Sequence, residues 1–294
     1  MSHPHEGALG SAGDFDLAST PLRIGTVTLN VRDIDHVSRF YQEVVGVRLL
    51  GSDTSAASLG AEATPLLELR GDPDLRPGDP HAAGLFHTAF LLPSRADLAR
   101  WASHAAENRV PLTGAADHAV SEALYLSDPE GNGIEIYADR PSRDWEYRDG
   151  MVVMVNDPLD FAGLLATAGG EVWDVVPDET VVGHVHLQVG EIAAAEAFYG
   201  GVLGFRTTCR YRRASFFGAG GYYHQLATNV WHSSGAGTRD DRTAGLAGFE
   251  ILADGDALGT ARDRARSAGT RLAEAPDGLT VFDPWSIPVT LRAT

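Results

Sequence analysis

From Arg23 to Val31 the chain alternates, with Val27, Leu29 and Val31 on one side and Thr26, Thr28 and Asn30 on the other, which predicts a half-buried strand. Asp33 then offers an N-cap, and Val37, Phe40, Tyr41, Val44 and Val45 recur at helical spacing until Gly46 ends the helix. The same sequence of signals returns later. His184 to Val189 reads as a strand, Ala193 to Tyr199 as a helix, and Gly204 as its stop, so that Phe40, Tyr41 and Gly46 meet Phe198, Tyr199 and Gly204 at one constant offset of 158 residues. Two related units are legible. Leu85 to Leu92 predicts a strand, and Asp97 to Asn108 a helix with Leu98, Trp101 and Ala105 inward. A hairpin completes that unit, with Leu124 to Leu126 running in, a turn over Asp128 to Gly133, and Ile134 to Tyr137 running back. Leu246 to Leu252, a helix over Ala257 to Ala268 and a closing strand near Leu291 make the fourth unit, whose Asp283-Pro284 repeats Asp128-Pro129.

Four units of about 50 residues, each strand, helix and several strands, predict an internally duplicated α+β chain of four βαβββ modules pairing into two open barrel-like sheets. The expected modules are 22–72 and 84–140, a first consecutive pair over 22–140, and 181–234 and 245–294, a second pair over 181–294. Residues 141–180 read as a structured connection packed on the outside, and residues 1–21 as a disordered tail in which His3 and His5 are not ligands.

Composition narrows the partners. A formal charge of −17 argues against nucleic acid and anionic membrane surfaces. The single Cys209 excludes an internal disulfide framework and fits a reducing cytoplasm, and neither a membrane span nor a secretory signal is visible.

Chemistry emerges when the modules are aligned. Their first strands place Thr26, His87, His184 and Gly248 in register, and their last strands Glu135, Asn229 and Thr290, with apolar Leu67 or its neighbours in the first module. Glu135 lies between Ile134 and Ile136, so its side chain points to the face opposite theirs. A lone strand histidine is more often a hydrogen-bonded core residue than a ligand. Two at equivalent positions with a carboxylate as third partner make the facial triad of a non-haem Fe(II) site, a set that also suits Mn(II) or Zn(II). His186 competes with His184, lying two residues on and facing the same side; the repeat alignment favours His184. His118 and Tyr125, on the same hairpin as Glu135, add two groups capable of proton transfer.

The run from Ala116 to Glu135, through His118, Tyr125 and Asp128-Pro129, resembles the signature of type I extradiol ring-cleaving dioxygenases of the vicinal oxygen chelate superfamily, especially the two-domain bacterial kind. Gly183-His184-Val185-His186-Leu187 and Asp139-Arg140-Pro141 with Trp145 are similar to the same branch. Ala116 departs from the glycine usual at the start of the signature. The resemblance implies the vicinal oxygen chelate fold, a mononuclear Fe(II) held by His87, His184 and Glu135, and insertion of both atoms of O2 into a catechol. It further implies that the second and third modules form the metal-bearing barrel and the first and fourth a degenerate one, in which Glu250 is no ligand. Gly220 to His224 matches a glycine-rich turn followed by histidine, which makes His224 the candidate acid–base group, with Tyr125 and His118 around the substrate oxygens. Trp231 and Phe217 are candidate walls of the ring pocket.

Two other functions stay open at this level. A glyoxalase-like isomerase on the same scaffold would use four protein ligands, and Asn229 stands where the fourth is expected. A metal-free member would bind a hydrophobic ligand in the same cleft. A homo-oligomer is compatible with each.

Overall fold

The computed structural model describes residues 15–275 and 278–294, and each predicted unit folds as a strand, a helix and three strands. The first module comprises β1 (Leu22–Val31), α1 (Ile34–Phe40), β2 (Arg48–Ser52), β3 (Ala56–Ala61) and β4 (Thr64–Gly71). The second comprises β5 (Gly84–Leu91), α2 (Arg95–Glu107), β6 (Gly114–Asp117), β7 (Ser121–Ser127) and β8 (Gly133–Asp139). A connection follows with the short strands β9 (Tyr147–Arg148) and β10 (Met151–Val152) and helix α3 (Phe161–Leu165). The third module holds β11 (Val181–Gln188), α4 (Ile192–Ala195), β12 (Arg206–Tyr211), β13 (Ala214–Gly218) and β14 (Leu226–Asn229). The fourth holds β15 (Gly245–Ala253), α5 (Gly255–Ser267), β16 (Leu272–Ala275), β17 (Gly278–Phe282) and β18 (Pro288–Ala293).

The helices begin where short polar side chains can satisfy free backbone donors. Asp33, Ser94 and Asp254 accept from the N–H groups of His36, Asp97 and Ala257 at 3.0, 3.1 and 2.7 Å. Helices α1 and α4 run on into widened π-type turns over Tyr41–Val45 and Glu196–Val202. Gly46 and Gly204 follow at φ +93° and +94°, a left-handed geometry that costs any residue with a Cβ.

The strands form two eight-stranded sheets, ordered β16-β17-β18-β15-β1-β4-β3-β2 and β12-β13-β14-β11-β5-β8-β7-β6. In each sheet two first strands meet antiparallel at the centre, β1 with β15 and β5 with β11, and each first strand lies parallel to the last strand of its own module. The fourth module therefore joins the first, and the third joins the second. Consecutive modules are tied differently. Buried Tyr41 donates to Asp128 Oδ2 (3.4 Å), and Tyr199 at the repeat-equivalent position donates to Asp283 Oδ2 (2.9 Å). The paired Phe-Tyr and Asp-Pro signals of the sequence are the two ends of these contacts.

The larger of two apolar clusters runs through both sheets and under the helices, from Val27 and Leu29 through Ile134 and Ile136 to Val185 and Leu291. The opposite face of the second sheet carries Ala89, Ala123, Tyr137 and Ala227, and it borders a cavity. In the connection Val172 is 86% exposed, while Trp173 and Val176 enter the core against the first module. Of the tail expected over 1–21, residues 1–14, with His3 and His5, lie outside the described residues. Phe15 to Pro21 does not behave as a tail: Leu17–Ser19 forms a 3-10 turn and the Phe15 ring packs on Trp145 and Tyr222 at 5.5 and 5.3 Å. Among the described residues, no helix is long and apolar enough to cross a membrane.

Candidate metal centre and substrate cavity

The strand ladder explains why three distant residues meet. Ala89 on β5 pairs with Glu135 on β8 to one side and with His184 on β11 to the other, and His87 precedes Ala89 by two residues on the same face. With strands about 4.8 Å apart and alternate residues on one face about 6.6 Å apart, the three longer side chains converge above the small Ala89. Glu135 Oε2 lies 2.9 Å from His87 Nε2 and 3.2 Å from His184 Nε2, and the two imidazole nitrogens are 3.3 Å apart. All three residues are buried, with one ligand atom from each lying within 4.8 Å of the others.

The antiparallel pairing also tests the repeat alignment. Ala89 faces His184, and His87 faces His186, the exchange expected if His87 and His184 occupy equivalent positions about a pseudo-twofold. The last strands need correcting. The residue opposite His186 is Ala227, so Ala227, not Asn229, is the counterpart of Glu135. In the first module the counterpart is Glu68, opposite Thr28, and not an apolar residue. Asn229 has a different job: its Nδ2 is 3.0 Å from His186 Nε2, which holds that imidazole apart from the triad.

Burial alone would push the Glu135 carboxyl up, but the His184 and His87 imidazoles beside it hold it well below the usual carboxylate range. Burial pushes His184 down, opposed by Glu135, and pushes His186 and His224 well down. Neutral imidazoles beside an ionised carboxylate are a suitable donor set for a divalent cation. Both imidazoles share the single oxygen Oε2, and no lysine or arginine among the described residues pairs with this carboxylate, so a cation satisfies all three groups at once.

The remaining expected site residues also face this cavity, which has a volume of about 1020 Å³. Tyr125 Oη lies 2.7 Å from His118 Nε2, while His118 Nδ1 lies 2.8 Å from the carbonyl oxygen of Val155. A carbonyl only accepts, so His118 carries a proton on Nδ1, directed at Val155. Burial, reinforced by Glu135, raises the Tyr125 hydroxyl well above its ordinary value and keeps it protonated. The His224 ring lies 4.3 Å from the His184 ring at a tilt of 55°, and its buried Nδ1 lacks a hydrogen-bond partner. Trp231 lines the cavity, as do Phe86 and Phe216, whereas Phe217 belongs to the apolar core.

Behind the site lies a cluster that the repeat alignment does not reveal. Asp139, at the end of β8, accepts from Tyr222 and Tyr223, and Tyr222 Oη is 3.1 Å from Tyr137 Oη. Burial pushes Asp139 up to about 7 against the hydrogen bonds of the two tyrosines. The sequence signal is a second carboxylate, Asp139, closing the strand that carries Glu135, but its partners are about eighty residues away in the glycine-rich turn before His224.

Comparison with known proteins adds an independent line. A profile of the Glyoxalase/Bleomycin resistance protein/Dioxygenase superfamily matches residues 23–136 and 181–281. The chain is 37% identical over 270 residues to catechol-2,3-dioxygenase of Bacillus subtilis (strain 168), covering 90% of this chain and 94% of the relative. It is 28% identical over 138 residues to biphenyl-2,3-diol 1,2-dioxygenase 3 of Rhodococcus globerulus, covering 44% of this chain and 70% of that protein. A mutant glyoxalase I from Zea mays has a similar fold, with a TM-score of 0.57 at 14% identity over 94% of this chain and 95% of the other.

Proposed function

Because this chain belongs to the Glyoxalase/Bleomycin resistance protein/Dioxygenase superfamily, we propose that it is an extradiol ring-cleaving dioxygenase acting on a catechol-type aromatic diol at Fe(II), with Mn(II) as the alternative metal. The observation that carries the reading is the buried His87–Glu135–His184 cluster, which opens onto a cavity with apolar walls. These three residues would hold the metal. Two imidazoles and one carboxylate leave coordination positions for both a diol and O2, and the bound metal would supply the electron transfer between them that closed-shell organic molecules do not undergo unaided.

The chain's own groups handle protons and exclude water. His224 is kept neutral by burial and can take the proton that one diol hydroxyl gives up. Tyr125, between His118 Nε2 and the Glu135 carboxylate, lines the cavity, where its oxygen can accept from the second hydroxyl. His118, oriented by Val155, holds that phenol in place. Phe86, Phe216 and Trp231 keep the aromatic ring in an apolar slot. A glyoxalase-like isomerase would ask the third module for a carboxylate opposite His186, and Ala227 stands there. The lone, buried Cys209 suits a cytoplasmic setting.

The test is anaerobic loading with Fe(II) or Mn(II) followed by oxygen uptake over a panel of catechols. Uptake with a yellow ring-opened product is expected, and His87→Ala should lose both metal and uptake. Tight ligand binding without metal, or no uptake with any catechol, would remove the reading.

A further inference from the structure

The cavity wall also carries charged side chains that have no part in the chemistry above, and one of them is a half-buried arginine. Arg239 sits on the loop between the third and fourth modules and is half-buried in the cavity wall. Its backbone N–H donates to Trp285 O at 3.0 Å, and its Nη2 to the carbonyls of Thr243 and Ala244 at 3.3 Å each. A guanidinium has five N–H donors, so most of this one's are unclaimed. Among the described residues no carboxylate pairs with it, and burial, with no acid to offset it, pushes the group down. Among the described residues none of the acids that line the cavity bonds to Arg239, although Glu130 Oε2 is buried without a hydrogen-bond partner. Glu130 Oε1 accepts from the backbone N–H groups of Arg32 and Asp33 at 2.7 and 2.8 Å, Asp79 Oδ1 from that of His81 at 2.8 Å, and Glu135 belongs to the histidine cluster.

Its place along the cavity sets a length. Arg239 Nε lies 3.9 Å from where a Cβ on Gly84 would stand, and Gly84 opens β5. Gly84 and His87 lie opposite Gln188 and His186, two residues apart on β11 with a bulge on the β5 side, so the strand advances about 7 Å between them. Between the two ends stands Phe86, 4.9 Å from the His186 ring and edge-on to Trp231 at 5.2 Å. The cavity thus runs from the histidine–glutamate cluster, past an aromatic wall, to the half-buried Arg239, while the other arginine of its lining, Arg212, is exposed and lies over the Tyr211 ring; about 1020 Å³ is far more room than a bare catechol fills. On a chain of net charge −17 a desolvated, unpaired guanidinium is a costly feature unless an anion meets it.

Resting on the dioxygenase reading, we propose that Arg239 is the anion-recognising end of the substrate site, and that the preferred substrates are catechols carrying a carboxylate on a short side chain. The planar guanidinium suits a carboxylate because both oxygens can be met by parallel N–H groups. A short spacer of two to three carbons lets the carboxylate reach along the cavity past Phe86 while the diol stays at the cluster.

The probe pair is 3-(3,4-dihydroxyphenyl)propionate and its neutral amide, which differ only at the anion. Calorimetry on metal-free wild-type protein should show the acid binding about 10- to 100-fold more tightly than the amide, the range expected for a charge-assisted pair. Equal affinities, or no detectable binding of the acid, would overturn the assignment. With metal-loaded protein, Arg239→Gln should lower the acid-to-amide ratio of kcat/KM about 10- to 100-fold, mainly through KM, and Arg239→Lys should keep most of it. An unchanged ratio in Arg239→Gln would also overturn it. Absence of oxygen uptake with both compounds, while the acid still binds better than the amide, would sink the dioxygenase reading and support the anion site.

Discussion

Tyr125 and His118 show how one hydrogen bond can set a substrate contact. Val155 O holds a proton of His118 on Nδ1, and Tyr125 Oη lies 2.7 Å from His118 Nε2 with the Glu135 carboxylate as its second polar neighbour, so the phenol links the histidine–glutamate cluster to the cavity. Tyr125→Phe should therefore lower kcat about 10- to 100-fold while KM changes only a few-fold, read by steady-state oxygen consumption. Loss confined to KM would make Tyr125 a packing residue. Asp139 offers a pH test that does not depend on turnover. Its folded-state value of about 7 lies above the ordinary 3.8, so the folded chain holds this proton more tightly than the unfolded chain does. The associated stability is fully present below about pH 4 and is lost as pH rises through about 7. Wild-type Tm should consequently fall more steeply between pH 5 and pH 8 than that of Asp139→Asn, which keeps an oxygen acceptor for Tyr222 and Tyr223 without the charge. Parallel melting profiles for the two proteins would show that Asp139 does not titrate in this range.

At the scale of elements, much of the fold is legible because each signal is local. Alternation gives β1, the cap at Asp33 and the stop at Gly46 bound the first helix, and the 158-residue offset carries the same reading to the third module. Ligand-bearing strands are legible for the same reason, since Ile134 and Ile136 bury one face and leave Glu135 on the other. What the chain does not reveal is register between strands. Asn229 and Ala227 differ by two residues and face the same side, so only the β11–β14 ladder, with its unequal turns, separates them. Nor do periodic positions distinguish an α-helix from one whose last turn widens, as at Tyr41–Val45 and Glu196–Val202. The two stops that follow those turns should differ in tolerance. Replacing either glycine by alanine costs about 1–2 kcal/mol for the left-handed backbone. A Cβ at Gly46 would also meet Trp173 Nε1 at 2.8 Å and the backbone nitrogen of Val176 at 3.2 Å, whereas at Gly204 the close neighbour is the mobile end of Arg264 at 2.9 Å. Gly46→Ala should thus lower Tm more than Gly204→Ala, and the reverse order in thermal melts would contradict this packing.

The whole molecule is interlocked across the sequence. Each sheet takes one module from 22–140 and one from 181–294, and the candidate metal cluster takes His87 and Glu135 from the first stretch and His184 from the second. The repeat alignment identified the equivalent first-strand positions and misplaced two of the last-strand ones, at Asn229 and Leu67, while which modules share a sheet is a long-range choice that family resemblance implies and periodicity does not. The arrangement makes the connection dispensable for holding the halves together. Both central seams, β1 with β15 and β5 with β11, and one continuous apolar core join 22–140 to 181–294 without it. Such a large apolar interface behaves as a domain core and not as a hinge between domains. Val172 is 86% exposed and stands just beyond Gly169 and Gly170, so a protease site engineered at 169–172 should be cut in the folded protein. The two fragments should then co-elute in size-exclusion chromatography and separate only in denaturant. Metal should reinforce the seam. At free metal about 100-fold above its Kd, a site that exists only when the halves are joined adds about 2.7 kcal/mol. The nicked protein should therefore dissociate at lower denaturant after chelation, and Glu135→Gln should abolish that difference. Fragments that part in buffer would show that the connection, and not the sheets, holds the molecule together.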